Sequence, residues 1–592
     1  MPSLKEQCRM LAARALNALK PAGAPELAPE SVPLEEPPNP ALGDVGIPAF
    51  PFAKAFRVPP PVLAARLCAA LQTDPEAAAV GAFSAAGPYV NARLNRGRAA
   101  RDTLAQILRE DGDYGALGED GERPLAGRRI MVEFSSPNTN KPLHLGHLRN
   151  NALGESVSRI LRAAGAEVRK VCIINDRGVH ICKTMLAYEK FHRAKGDTPE
   201  SLGVKGDRFV GDCYVEFGAY SKTHPDAEAE AQSLLVEWER GDTDVRARWK
   251  QMNEWAIGGI RETYRRCGVS FDAFYYESDT YLKGKAEILK GLEAGVFHRE
   301  ADGSVQVDLA EIGLDKKVLL RKDGTALYMT QDIGTALCRH SDWRFDQLVY
   351  VVGNEQQYHF KVLFHILKKL GFAWAESLRH LSYGMVNLPE GRMKSREGTV
   401  VDADDLIDSL REGARAEIAA KGREEAVGDA DAVAEAVAIG ALHYFLLQAS
   451  PAKDMLFEPK ESLSFNGNTG PYLQYMGARI SSVLRKADGS AGGECTAEGA
   501  ALLTHDAEWA LVKLLGGFPA AVERAARAFD PSAVAGLLYD IAKAFAVFYR
   551  ECPILNADGA ELRVARLALA ECTRTALRNG MNLILVPFLE TM

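Results

Sequence analysis

The stretch from Arg129 to Ile174 constrains the fold more than any other part of the chain. RIMVEF (129–134) is a short β-rich run, and a polar loop follows it. Leu148 to Ala164 then sets Leu153, Val157, Ile160, Leu161 and Ala164 at helical spacing. Gly165 stands where a helix C-terminus favours glycine, and EVRKVCII (167–174) is the next β-rich run. A strand, a crossover helix and a second strand in this order predict a parallel, doubly wound sheet. Further on, LVYVVG (348–353) reads as a buried strand, 360–370 as a helix, and 380–388 as containing another strand. Residues 183–300 are mostly helical and charged, an insertion before the sheet resumes.

With 592 residues the chain is too long for one core. The expected division is 1–120, 121–425 with an insertion at about 185–300, and 426–592. Residues 1–20 read as a helix and 21–41 as a proline- and acid-rich loop. Helical patterns follow near Leu63–Leu71 and Arg98–Leu108, with a turn-like GPYVNARLN between them, and glycines between Asp111 and Gly127 mark a boundary. From Asp431 onward helix follows helix, the first with an apolar stripe of Val433, Ala436, Val437, Gly440, Ala441, Tyr444 and Phe445.

No run of about 18 apolar residues is present, so no membrane span is expected. The N-terminus is amphipathic, carries Glu6 and lacks a small-residue cleavage site, so no secretory signal is expected either. The ten cysteines include no C-x-x-C, which argues against a zinc ribbon or a disulfide framework and for free thiols in a reducing cytoplasm. The net charge of −8 points weakly away from nucleic acid, but local basic patches decide phosphate contact.

The chemistry concentrates in SSPNTNKPLHLGHLRN (135–150), the loop between the first strand and its helix, which is where open α/β sheets bind ligands. His144 and His147 flank Leu145-Gly146 at a helix N-terminus, where free N–H groups and the helix dipole favour phosphate. Their imidazoles can donate to an α-phosphate as charge builds in a displacement. Gly146 leaves room for a flat adenine against the backbone. A zinc reading of the pair is weaker, because no third ligand sits at metal-like spacing, and no metal ligand is assigned. Taken alone, H-x-x-H is more often a helix cap than a site; the strand before it and the helix after it reverse that balance.

HLGH resembles the HIGH motif of class I aminoacyl-tRNA synthetases, and the longer VEFSSPNTNKPLHLGHLRN resembles the arginyl branch. The second motif of that class, KMSKS, is matched by Arg392-Met393-Lys394-Ser395-Arg396-Glu397-Gly398. Ser395 stands in place of its second lysine, which in the family stabilises the pyrophosphate. The resemblance implies that Lys141, just upstream of HLGH, supplies that charge instead, a plausible exchange for a mobile ammonium. It implies catalytic roles for Lys141, His144, His147, Arg392, Met393, Lys394 and Arg396, with ATP held by His144, Gly146, His147 and Met393.

A guanidinium needs carboxylates and neutral oxygens in fixed positions. Tyr328 and Asp332 lie four apart in LYMTQDI, on one face of a helical turn. They resemble the family's side-chain pocket, and Glu133, Ser135, Asn138 and Gln356 match other arginine-binding positions. A glutamate-specific relative would need a cationic pocket, and a cysteine-specific one usually brings zinc ligands.

The resemblance therefore implies a multidomain α/β protein. It would have a Rossmann-type catalytic domain with a helical insertion, an N-terminal α+β domain binding the tRNA corner, and a C-terminal all-α anticodon-binding domain. Asn91, Tyr472, Tyr475 and Arg479 are the candidate tRNA contacts; an aromatic face with a cation beside it suits splayed bases. The implied activity is ATP-dependent ligation of arginine to tRNA(Arg) through arginyl-adenylate. Magnesium would accompany ATP, and tRNA would be needed before arginine is activated. A cytoplasmic monomer without a tightly bound metal or membrane contact is expected.

Overall fold

The computed structural model describes residues 3–118, 121–322, 328–387, 389, 401–420, 428–487 and 495–592, leaving out the side chains of Pro40 and Tyr328. Its central element is a five-stranded sheet in the spatial order Leu378–Tyr383, Gln347–Gly353, Arg129–Glu133, Glu167–Ile174, Ala273–Tyr276, with every neighbouring pair parallel. The chain therefore lays down three strands outward from Arg129–Glu133 and then returns to add two on its other side. The connections leaving Arg129–Glu133 and Gln347–Gly353 diverge at this reversal, which opens a crevice beyond their carboxyl ends.

The crossover helix Leu145–Ala163 is buried along most of its length, because the sheet covers one side and C-terminal helices cover the other. Several of its buried polar residues are accordingly paired. Ser156 Oγ donates to Leu583 O at 2.7 Å, and Glu155 meets Lys170 Nζ at 2.8 Å. The helix approaches the sheet at Gly154, where a Cβ would lie 2.1 Å from Phe134 Cγ. Gly165, with φ of +98°, turns the chain into the next strand as its sequence position implied.

The helical insertion comprises Val179–Phe191, Gly206–Ser221, Ala227–Arg240 and Thr243–Arg266, around a core that includes Met185, Phe209, Trp238 and Ala256. It does not run unbroken from 185 to 300: strand Ala273–Tyr276 returns to the sheet within that span. AFYY is only four residues long and sits among charged helical stretches, so periodicity could not separate it. A small antiparallel sheet follows, of His298–Arg299, Val305–Val307 and Lys317–Leu320.

At the N-terminus, helix Leu4–Leu19 packs near an antiparallel sheet ordered Val45–Pro48, Tyr89–Leu94, Gly81–Ala86. GPYVNARLN is thus not a turn. Its turn is confined to Gly87 and Pro88, and Tyr89–Leu94 is the central strand. This domain docks on the C-terminal bundle, where Trp509 Nε1 donates to Asp44 Oδ1 at 2.8 Å and Tyr114 Oη donates to Leu515 O at 2.6 Å. Two bundle helices, Ala430–Leu447 and Ser532–Glu551, are long and apolar enough to cross a membrane. Ala430–Leu447 has a packing reason for its composition: it lies between Ala403–Ala420, Leu145–Ala163 and Gly470–Lys486.

Candidate functional site

The floor of the crevice is built by the residues just after strand Arg129–Glu133. Ser135 and Ser136 adopt φ of +74° and +50°, a conformation L-residues avoid unless the surroundings enforce it. Here Asn150, on the crossover helix, enforces it. Its Oδ1 accepts from Ser135 N at 2.5 Å, while its Nδ2 donates to Val351 O at 2.8 Å and to Tyr383 Oη at 3.0 Å. One side chain thereby ties together three strand ends across the reversal. Ser135 Oγ is also 2.6 Å from Tyr264 Oη, so this serine is buried as scaffold.

Glu133 is buried against Arg339 of helix Tyr328–Asp342, whose Nη1 donates to its Oε2, and Ser136 Oγ donates to Oε1 at 3.1 Å. Arg339 lies beside Tyr275 and Tyr350 from the flanking strands, 5.2 and 5.7 Å from their ring centroids. Sequence reading missed this arginine, although a charged residue inside the apolar run TALCRHS was a signal. Asn138 is exposed on the loop, where it bridges to Asn175 after the second strand.

His144 is the N-cap of the crossover helix. Its Nδ1 accepts from Gly146 N at 3.1 Å, and its own backbone N donates to His147 Nδ1 at 3.1 Å. The two rings are 4.0 Å apart. Burial, reinforced by the Lys141 ammonium, pushes the His144 pKa down to about 4 and that of His147 well below its ordinary value. Both rings are therefore neutral, and because each Nδ1 accepts, each proton sits on Nε2. The pair presents two Nε2–H donors without bringing positive charge of its own. Lys141 supplies charge nearby, and burial lowers its pKa too. Gly211 of the insertion lets that segment in close: a Cβ there would meet Pro142 Cδ at 2.7 Å.

Arg392, Met393, Lys394, Ser395 and Arg396 lie outside the described residues. Both flanks of their loop are described. On the entry side, fully buried Arg149 donates through Nη1 to Met385 O at 3.1 Å and through Nη2 to Pro451 O and Lys453 O at 3.0 and 2.7 Å. On the exit side, Asp402 forms a β-bridge with His144, and Ala403 N donates to Leu143 O at 2.9 Å. The first motif is thus joined backbone to backbone to the residues that follow the second.

The opposite wall is acidic. Helices Glu277–Glu293 and Tyr328–Asp342 approach so closely that a Cβ at Gly284 would lie 1.6 Å from Thr330 O and one at Gly334 2.6 Å from Thr280 O. That approach sets Glu277, the first helical residue after strand Ala273–Tyr276, near Asp332 and Asp176. Burial, opposed in part by Arg177 and reinforced by Asp176 and Asp332, raises the Glu277 pKa to about 7. Asp176 is itself held by Ser278, whose N and Oγ donate at 2.9 and 2.7 Å. Asp332 meets His359 Nε2 at 2.6 Å and remains 38% exposed. Glu277 and Asp176 were not among the residues read from the sequence. Gln356 is exposed just after strand Gln347–Gly353, and Tyr328 opens the helix that carries Asp332. An array of carboxylates, one of them with its pKa raised to about 7, suits a delocalised cation.

Metal-type ligands gather elsewhere among the described residues, at His192, Cys213 and Glu216 in the insertion. There His192 bridges Asp197 and Glu216 at 2.9 and 2.8 Å as an ion-paired contact.

On the C-terminal bundle, Tyr472, Tyr475 and Arg479 share a half-buried face of helix Gly470–Lys486 with residues of Ser532–Glu551. Arg479 lies 4.4 Å from the Tyr549 ring and 5.8 Å from that of Tyr475, Tyr472 packs edge-on to Tyr539, and Lys543 Nζ is 5.2 Å from the Tyr539 ring. Asn91 is different: it is 3% exposed in the N-terminal sheet, with Oδ1 beside Gly46.

Known proteins bear on this arrangement. Residues 104–458 match the family described as tRNA synthetases class I (R), catalytic domain; 473–592 match the DALR anticodon binding domain; 9–94 match the arginyl tRNA synthetase N terminal domain. An arginine–tRNA ligase of Treponema denticola is 59% identical over 597 residues, covering 100% of both chains. One from Bacteroides thetaiotaomicron is 44% identical, covering 97% of this chain and 98% of its own. The Thermus thermophilus arginyl-tRNA synthetase superposes with a TM-score of 0.81 at 27% identity, over 99% of this chain and 100% of that one.

Proposed function

Because this chain belongs to the arginyl-tRNA synthetase family and charges tRNA with arginine in protein synthesis, we propose that the crevice assigns its residues as follows. ATP enters with Mg²⁺ on its phosphates, as a substrate complex. Its phosphates lie at the N-terminus of helix Leu145–Ala163, the adenine over Gly146, and the Nε2–H groups of His144 and His147 face the α-phosphate. Lys141 and the loop of Arg392, Met393, Lys394 and Arg396 meet the leaving pyrophosphate.

The arginine carboxylate attacks the α-phosphorus, the bond to the pyrophosphate oxygen breaks, and arginyl-adenylate forms. The 2′-hydroxyl of the terminal tRNA adenosine then attacks the activated carbonyl carbon, and AMP leaves. No side chain forms a bond to substrate; the site acts by orientation and by donors aimed at developing charge.

Asp332 and Glu277 receive the guanidinium, with Tyr328 bounding the slot and Gln356 at its rim. Asn138 takes the α-amino end. Glu133, neutralised by Arg339, works with Ser135 to hold the turn that presents Asn138. The single observation that carries the choice of arginine is the gathering of the Glu277, Asp332 and Asp176 carboxylates in one wall, where a cationic side chain is the natural partner. Tyr472, Tyr475 and Arg479 stack on anticodon-loop bases together with Tyr539 and Tyr549. Asn91, being buried, acts by holding strand Tyr89–Leu94 beside Gly46 and not by touching a base.

The domain limits 1–120, 121–425 and 426–592 follow this division of labour. One chain carries every group the reaction needs, in keeping with a monomer, and ten unpaired cysteines are in keeping with a reducing cytoplasm. Pyrophosphate exchange measured with each proteinogenic amino acid, with and without tRNA, tests the reading. Exchange with arginine alone, and only when tRNA is present, is expected; exchange that does not require arginine overturns it.

A further inference from the structure

The exit of the ATP loop is held from three directions by ion pairs. Helix Ala403–Ala420 starts one residue after the Asp402–His144 bridge and opens with Asp404 and Asp405. Asp404 Oδ2 accepts from Lys205 Nζ at 2.6 Å and from Thr263 Oγ1 at 2.8 Å, and Lys205 also meets buried Asp207 at 3.1 Å. Asp405 meets Arg208 at 2.8 Å. These contacts fix the start of helix Ala403–Ala420 to the insertion.

Arg266, the last residue of helix Thr243–Arg266, does more. Its Nη1 reaches Asp404 Oδ1 at 3.3 Å, its Nη2 reaches Asp408 Oδ1 at 2.7 Å, and its Nε reaches Glu435 Oε1 at 2.7 Å. Glu435 is on helix Ala430–Leu447, which contacts the tRNA-facing helix Gly470–Lys486 directly. Gln474 Nε2 donates to Ala436 O at 2.9 Å, and a Cβ at Gly470 would lie 2.1 Å from Gly440 O. Tyr472, Tyr475 and Arg479 are on that same helix. A lysine could not replace Arg266, because only the planar fork spans three carboxylates on two helices at once.

We propose that Arg266 is a positioning residue for ATP. Through Glu435 it senses the placement of helix Ala430–Leu447, and through Asp404 and Asp408 it fixes the start of helix Ala403–Ala420 and with it Asp402, the bridge partner of His144. The inference rests on assigning residues 392–398 to ATP. Any shift of the bundle on tRNA is then delivered to the exit of the ATP loop by a rigid, charged contact, and its energetic weight is a coupling between named side chains.

The experiment is arginine-dependent pyrophosphate exchange by the full chain at saturating tRNA, with KM for ATP and for arginine read separately, beside the melting temperature. R266Q is expected to raise KM for ATP about tenfold and leave KM for arginine within about twofold, and R266K to fall well short of restoring it. E435Q, which keeps every other bond of Arg266, is expected to raise KM for ATP about threefold, with R266Q/E435Q no worse than R266Q. An unchanged KM for ATP in E435Q overturns the proposal even if R266Q fails to fold. So do effects that add in the double variant, and so does a KM for arginine that rises in step with that for ATP. K394A separates this from the reading beneath it. If K394A keeps normal exchange, the ATP-loop assignment fails; if K394A is inactive while R266Q and E435Q bind ATP normally, the coupling alone fails.

Discussion

Asp402 pairs through its backbone with His144, so a residue just past the segment proposed to grip ATP and the residue that caps the crossover helix are neighbours in one bridge. Asp402 cannot shift without disturbing the cap, and the cap fixes the tautomer of both histidines. H144N and H147N each remove the Nε2–H donor while keeping an oxygen acceptor near the Nδ1 position. Each should lower kcat for arginine-dependent exchange by about 10²–10³-fold, the usual loss for one preorganised donor, with KM for arginine little changed. A loss in KM alone would show that the donor acts equally on bound ATP and the transition state.

The same burial makes a statement about stability. The folded pKa values of His144 and His443 fall to about 4, and that of His147 falls well below its ordinary value, against about 6.5 in the unfolded chain. The unfolded state therefore binds more protons between these values. Stability should be full above about pH 6.5 and fall progressively as the pH drops toward 4. Denaturant midpoints measured across this range check the sign; H443Q, which lies outside the crevice, should flatten the slope.

Glu277 has the opposite disposition. Its folded pKa of about 7 leaves it partly protonated near neutrality, yet it must be ionised to receive a guanidinium. KM for arginine should thus fall as pH rises from about 6 to about 8, as the carboxylate forms. E277Q should bind arginine weakly at every pH and lose that dependence. A KM that stays level in the parent protein would remove Glu277 from the pocket.

How far the site could be read in advance depends on the range of the contacts. HLGH, its strand and its helix are contiguous, so local pattern gave their positions to within a few residues. Glu277 and Arg339 were invisible as site residues, because their meaning comes from partners far along the chain: Asp332 for one, Glu133 for the other. Strand Ala273–Tyr276 was hidden for a related reason. It is stable as the edge of a sheet whose other strands lie elsewhere in sequence. Tyr89–Leu94 reads as a turn beside Gly87 and Pro88, yet pairing on both edges makes it a strand.

Gly154 gives a test of packing. A methyl group there would sit 2.1 Å from Phe134 Cγ, with a fully buried ring and no solvent to yield into. G154A should cost about 1–3 kcal/mol of stability, the range for overpacking a core, despite alanine's better helix propensity. Since Phe134 immediately precedes Ser135, KM for arginine should rise as well. A melting temperature equal to that of the parent would mean that the crossover helix is not seated as described.

Lys141 and Ser395 form a paired prediction. If the ammonium of Lys141 stands in for the lysine that Ser395 replaces, K141A should reduce pyrophosphate exchange by about 10²-fold or more while the Kd for tRNA stays near that of the parent. S395K in the K141A background should then recover a substantial part of the loss, because charge near the same phosphates is what was removed. Recovery would also locate the loop, since Ser395 can substitute only if it reaches the same group. Failure of S395K to recover any activity, with ATP affinity intact, would assign Lys141 to shaping the histidine pair instead.

Arg479 separates recognition from chemistry. It lies 4.4 Å from the Tyr549 ring at the helix face where bases are expected to stack. R479A and Y549A should each raise KM for tRNA about tenfold, within the range for losing one stacking or cation contact, and the double variant should be less than additive because the two side chains form one platform. At saturating tRNA, kcat should match the parent. The salt dependence should weaken for R479A and remain for Y549A, since only the arginine can meet a phosphate. A kcat effect at saturating tRNA would instead place Arg479 on the route from the bundle to the ATP loop, and the Arg266 variants would then be the ones to combine with it.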